Sequence, residues 1–465
     1  MSTTTHDHVP SSGMDERVSP RSRELLTFVS GTNSEDIPAE VLHESTRCLL
    51  DFLGVTIGAA YETAPQIAAG ALQLLGGNEQ ASVLGRRMRL RATDAALVNG
   101  IAGHVFDFDD THIPTILHPS TPLYAAGLAV AEWRGRSGRE LLAAHALGYE
   151  FSARVSLALY PEHNDIGWHM TGTIGTLAAA AASSRLMRLP TAQLPHCLGL
   201  AATQASGHRE QFGAMTKSFH AGHAAEGGVM SSLLAEAGYT AAPDSLEGRR
   251  GMFSVMSTRS TPSDLVDGLG QTWEIFRNGV KPYACGVVTH PPIDAVRALR
   301  TEHGVLAEDV ERIELLVHPL VAELTGKTEP HTGLEGKFSV RFACAIALLE
   351  GAARERQFTD ANVARRDVRE VMARIEVVPS AQIRHEAATA VAHLVDGRSI
   401  TITITAASGT PENRMSDEDL SEKFHDLVDP VLGAGRARAL AEQVWGIEHA
   451  TRVDDLVAAA TPADN

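Results

Sequence analysis

The chain has 465 residues, 44% hydrophobic and 21% charged, the composition of a globular protein too long for one ordinary core. Its formal charge of -17 is not offset by any basic run, which argues against a general nucleic-acid or membrane-surface role and requires local cations wherever an anion binds. Four scattered cysteines, Cys48, Cys197, Cys285 and Cys344, form no Cys-x-x-Cys pair; with no secretory signal or long apolar span, a cytoplasmic location with reduced thiols is expected.

Residues 1–21 mix Ser, Thr, His, Asp and Pro without periodicity and are expected to form a mobile tail. A helical pattern begins at Ser22, and a longer one runs from Ile37 to Gly54 with Pro38 in its first turn. Val41, Leu42, Leu49, Leu50 and Leu53 keep helical spacing there. Further helices are expected over 64–75, 92–108, 122–134, 138–159, 172–187 and 191–205. The alanine run 178–182 marks a buried helix in a crowded bundle, packed through small residues.

The stretch from Asn99 to Thr121 concentrates the chemistry. On a helical wheel Val98, Ile101, Ala102 and Val105 share one side, while His104, Asp107 and Thr111 share an opposite arc. Pro114 breaks the segment and lets His118-Pro119-Ser120 turn back towards the first polar group. Two plainer readings stand beside a catalytic one: Asp109 and Asp110 as an exposed helix end, or the acids and histidines as a metal site. The absence of regularly alternating carboxylates and of a His-x-x-x-His helix weighs against the metal.

Downstream, Thr171 or Thr173 caps the alanine-rich helix with His169 incidental, or that helix N-terminus offers N–H groups to an anion beside a switchable His169. Lys217 and His220 lie three apart among small residues, where a lysine is either solvated or answered by a partner or substrate charge. Lys281, Tyr283 and His290 sit near a change in composition, where substrate clefts concentrate, while Cys285 reads as a small apolar core residue. After Gly268 the period switches to two: Ile313, Leu315 and Val317 alternate in one strand, and Ile400, Ile402 and Ile404 in another. Val391 to Val395 and Asp396-Gly397 make a hairpin with the isoleucine strand, 374–378 adds a strand, and 338–350 a helix. Helical period returns from Ser416 to Ala460, so the expected fold is mainly α, with a smaller α+β domain at 276–407 inserted into an all-helical one at 22–275 and 408–465.

Asn99-Gly100, His104, Asp107-Phe-Asp-Asp-Thr111, His118-Pro-Ser120, His169, Lys217 with His220-Ala-Gly222, Lys281-Pro-Tyr283 and Lys337-Phe-Ser339 together, in this order, resemble the MmgE/PrpD family. That family contains 2-methylcitrate dehydratase, cis-aconitate decarboxylase and iminodisuccinate epimerase, and the overall resemblance is nearest to the last. The resemblance implies a homodimer with an inserted α+β lid, needing neither metal nor organic cofactor. Carried over by position, Asp107, Thr111, His118, His169 and Lys217 form the implied catalytic set, with His104, His220, Lys281, Tyr283 and His290 as implied substrate contacts. The family's lid histidine has no counterpart, because Gly286 stands at the corresponding place.

The implied chemistry is removal of a proton or carboxylate beside a carboxylate, using a base and cations that take up the developing charge. The expected activity is epimerisation of an imino-dicarboxylate such as iminodisuccinate. A dehydratase or decarboxylase acting on a tricarboxylate is the alternative, and a catalytically silent helical binding protein a third. The expected partner is a small anionic carboxylate rather than a nucleic acid or membrane.

Overall fold

The computed structural model describes residues 14–384 and 386–463. Of the expected tail, residues 1–13 lie outside the described residues; the remainder is structured, with Val18 buried and the first helix beginning at Pro20. Helices Ala39–Gly58, Ala92–Val105, Ser120–Arg134, Gly138–Leu159, Met170–Leu186 and Thr216–Glu236 surround one apolar core, to which residues between Leu420 and Ala460 also contribute. The Gly138–Leu159 helix starts in a capping box, Ser137 Oγ accepting from the Glu140 N–H while the Glu140 carboxylate accepts from the Ser137 N–H.

The Thr216–Glu236 helix is absent from the expected set because its glycines and serines weaken both helix propensity and the apolar stripe. Tertiary packing makes it. A Cβ on Gly222 would lie 2.4 Å from the Leu97 carbonyl oxygen, and one on Gly100 would lie 2.6 Å from Gly222 Cα. Glycine at both positions therefore brings this helix and Ala92–Val105 together backbone to backbone.

A second core is organised by a four-stranded sheet in the order Ile375–Pro379, Val310–Val317, Ala388–Leu394, Ser399–Ile404. The first pair is parallel and the others antiparallel, with Ile313 opposite Ile375 and Ala390 opposite Ile402. Alternation buries Ala388, Ala390, Ala392 and Leu394 on one face, against helix His290–Thr301, while Val340–Glu350 packs on that helix and on the Ile375–Pro379 strand. At the hairpin Gly397 takes φ 86°, a left-handed position that suits glycine. Val55, Ala102, Phe106, Phe108 and Leu427 join this second core from the helical part, and the Asp417–Leu432 helix packs on Ala39–Gly58. The chemistry-bearing stretch thus runs along the seam between two cores.

Candidate active site

The helix carrying Asn99 and His104 ends at Val105, three residues earlier than its expected end, so Asp107 and Thr111 do not continue its face. The physical reason is the seam. Phe106 and Phe108 both enter the second core, and between them Asp107 takes φ 52°, a left-handed conformation that aspartate tolerates better than most residues. Three buried lysines from distant segments hold this turn, one on each successive carbonyl. Lys337 Nζ donates to Phe106 O, Lys281 Nζ to Asp107 O at 2.9 Å and Lys423 Nζ to Phe108 O at 2.8 Å.

The Asp107 carboxylate is a hub for two ammonium groups: Lys217 Nζ and Lys281 Nζ donate to the same Oδ1, at 2.9 and 2.8 Å. Burial pushes this carboxyl up, but the two lysines outweigh it and hold it well below the usual carboxylate range. Burial lowers Lys281, and Asp107 and Asp109 more than restore it, so it stays charged although only 2% exposed. Lys217 is buried between Phe212 and Phe338, its Nζ 5.4 and 6.0 Å from the ring centroids. Its expected small-residue surroundings give way to two aromatic faces.

His118 Nδ1 lies 2.7 Å from the Asp110 carbonyl oxygen, an atom that can only accept, so in the neutral ring Nδ1 carries the proton and Nε2 is left as an acceptor. Thr111 Oγ1 is 3.2 Å from the same nitrogen, and the His118 N–H donates to Thr171 Oγ1 at 3.1 Å. Thr171 therefore serves the motif rather than capping its helix, and Thr173 Oγ1 contacts His163 Nε2 at 2.8 Å. Burial, opposed by Asp109 and reinforced by Lys281, depresses His118 to about 3. His169 is likewise pushed well below its ordinary value by burial and neighbouring charge.

Asp107, Thr111, His118, His169, Lys217 and Lys281 all line one cleft. The other expected substrate contacts are not on its wall. His220 stands behind His169, Nδ1 to Nδ1 at 3.0 Å, and His104 Nδ1 is 2.8 Å from Asp109 Oδ2. The Tyr283 hydroxyl donates to Asp294, and His290 Nε2 faces the Cys285 carbonyl at 3.4 Å. These four are thus held by protein partners, set back from the cleft wall. Burial pushes the Cys285 thiol up to about 12, in keeping with a core role. Ile116, also on the cleft wall, has φ 53°, an outlier for a β-branched residue that stores roughly 1–3 kcal/mol of strain to aim its side chain.

His104, Asp109 and His118 come within metal-ligand reach of one another. Nδ1 of His104 is engaged by Asp109 and Nδ1 of His118 by a carbonyl. His104 Nε2 and Asp109 Oδ1 are buried without a hydrogen-bond partner, so the trio keeps free ligand atoms beside its hydrogen bonds.

Sequence reasoning missed Lys423, whose Nζ also pairs with Asp51 at 2.6 Å. The available signal was its place on the buried stripe with Leu420, Phe424 and Leu427. Asp109 and Asp110 do not form the exposed helix end that the sequence allowed: both are buried, and Asp110 has only neutral partners, accepting from Asn278 Nδ2 at 2.8 Å and from Ser120 Oγ, which is itself 3.0 Å from His145 Nε2. Burial raises Asp110 to about 7. Because the folded value exceeds the unfolded one, this group's stabilisation is complete below about pH 4 and falls as pH rises towards 7, with a limiting slope of about 1.4 kcal/mol per pH unit. Asp110→Asn should flatten that part of the stability curve, measured by urea unfolding at several pH values; an unchanged slope would contradict it.

Residues 23–264 match the MmgE/PrpD N-terminal domain and residues 283–447 the MmgE/PrpD C-terminal domain. The chain is 26% identical to a cis-aconitate decarboxylase of Aspergillus terreus, over 93% of this chain and 94% of that one. It is 28% identical to the cis-aconitate decarboxylase of Homo sapiens, over 91% of each. A cis-aconitate decarboxylase-like protein of Aspergillus oryzae is 27% identical, over 94% of this chain and 96% of its own. With both halves matched in order and the motif residues gathered at one seam, the chain belongs to the MmgE/PrpD family.

Proposed function

We propose that this protein is a lyase that removes CO2 from a small unsaturated carboxylate without a metal or organic cofactor. The observation that carries the reading is the pair of buried ammonium groups on Asp107 Oδ1, in the same cleft as His118 with its acceptor Nε2. The relatives' names favour a decarboxylase over an epimerase of iminodisuccinate, so the isomerase emphasis is set aside. A merely structural scaffold has no need of two lysines and two imidazoles around one cleft, because each buried charge opposes folding unless it is matched.

In this scheme Lys217 and Lys281 bind the retained carboxylate. The carbon–carbon bond to the departing carboxylate breaks, CO2 leaves, and the electron pair delocalises towards the retained carboxylate, whose growing charge the lysines stabilise. A proton taken from solvent by His118 or His169 is then delivered to carbon. A bound anionic substrate raises both imidazoles from their depressed values, so protonation is coupled to binding. His220 fixes the ring of His169, Asp109 that of His104, and Thr111 helps to fix His118.

The 276–407 segment acts as a lid over this cleft, and a homodimer is the working assembly. Incubation with unsaturated di- and tricarboxylates in D2O, followed by NMR for CO2 and for new carbon-bound deuterium, tests the reaction. Loss of neither carboxylate nor alkene proton from any of them would refute it. Exhaustive chelation should leave the rate unchanged; a rate abolished by chelator and restored by a divalent ion would make His104, Asp109 and His118 a metal site instead.

A further inference from the structure

The charge on the cleft wall is small for a tricarboxylate. Its charged lining residues are Lys217, Lys281 and Asp107, two ammonium groups against one carboxylate, and no arginine is among the described lining residues. Both lysines already share Asp107 Oδ1, and the charge that substrate binding adds falls on the imidazoles of His118 and His169. A third substrate carboxylate would therefore find no third ammonium group on this wall.

Most of the remaining wall is apolar, with Ile116, Met170, Val287, Val288, Leu324 and Phe338 outnumbering the polar Thr111, Asn164 and Thr325. Gly286 opens this side. Its backbone, at φ -56° and ψ 129°, is ordinary for any residue, and an added Cβ would meet only Thr325 Cγ2, at 3.4 Å. Nothing in the backbone demands glycine here, so its effect is the space it leaves. The space continues outwards, because Phe212, Leu324 and Phe338 also line a second, outer cleft bounded by Ile166, Arg209 and Lys327. These three side chains form a neck between the two.

We infer that the substrate is a carboxylate of low charge carrying an unbranched alkyl arm, which lies over Gly286, Val287 and Val288 against Leu324 and leaves through the Phe212–Leu324–Phe338 neck. This rests on the decarboxylation reading and narrows it: the carboxylate end sits on Lys217 and Lys281, and the arm occupies the place where cis-aconitate would present a further charge. Burying each methylene along this wall should raise kcat/KM by about fourfold until the arm reaches the outer cleft.

The test is a homologous series of unsaturated dicarboxylates with alkyl arms of increasing length, assayed with cis-aconitate for CO2 release by the wild-type protein and by Gly286→Leu. Expected are a kcat/KM that climbs with arm length and exceeds that for cis-aconitate, and a long-to-short ratio lowered by about tenfold or more in Gly286→Leu. Leu324→Phe, which narrows the neck without touching Gly286, should lower the same ratio. Indifference to arm length, preference for cis-aconitate, or an unchanged ratio in both variants would overturn the inference while leaving the decarboxylation reading standing. Inertness towards every compound, with no deuterium entering carbon, would remove that reading and this inference with it.

Discussion

Lys217→Ala is expected to lower kcat by about a hundredfold or more while the protein remains folded. Lys217 Nζ is one of two donors to Asp107 Oδ1, and the other, Lys281, is still present in the variant to match that carboxylate. Stability therefore survives, whereas the retained substrate carboxylate loses a cation at the moment its charge increases. Lys217→Arg should not restore full turnover. The side chain runs between Phe212 and Phe338 to a single oxygen, and a planar fork of five donors cannot replace a point charge there. A solvated lysine would behave otherwise, its loss changing stability by no more than about 0.5 kcal/mol and leaving turnover intact. Steady-state kinetics with thermal unfolding of both variants distinguishes these cases, and wild-type kcat in folded Lys217→Ala would remove the residue from the site.

Asp107→Asn should damage activity and stability together. The amide is nearly the same size but leaves Lys217 buried without its countercharge and Lys281 with Asp109 alone, and removing one member of a buried pair typically costs about 3–5 kcal/mol. The pH dependence follows from the direction of the shift. Because the folded-state pKa of Asp107 is depressed, its contribution is present above the ordinary aspartate range and is lost only as pH falls through the lower folded value. The wild type should thus lose stability on acidification through this group, and the variant should lack that component. Denaturant unfolding from neutral pH downwards measures it; equal stability of the two proteins at neutral pH would mean that the lysines are not held by Asp107.

The elements with clean periodicity were legible in the sequence, and those decided by distant contacts were not. The Gly138–Leu159 helix starts and ends where the Ser137 cap and helical spacing place it, and the hairpin around Asp396-Gly397 joins its two strands in the expected antiparallel pairing. The turn at Asp107 could not be read in the same way. Phe106, Asp107 and Phe108 continue a helix by local pattern, and only a second core for both rings and three lysines over 100 residues away along the chain make a left-handed turn the better solution. The residue types of the site were visible, but not their layering. His104 and His220 look equivalent to His118 and His169 in sequence, and only the fold puts the first pair behind the cleft wall. Asp110 was hidden for a related reason: it differs from Asp107 and Asp109 in having no cation or imidazole among its side-chain partners, a property of packing rather than of spacing.

The most direct test of the carboxylate chemistry assigned to this cleft is a carbon-13 NMR experiment in D2O, with the substrate labelled in turn at each carboxylate. The account predicts one labelled CO2 or bicarbonate released per deuterium gained at carbon, from one carboxylate only, with both signals lost together in Lys217→Ala. Turnover that retains every labelled carboxylate, or CO2 release that proceeds undiminished in folded Lys217→Ala, would contradict it.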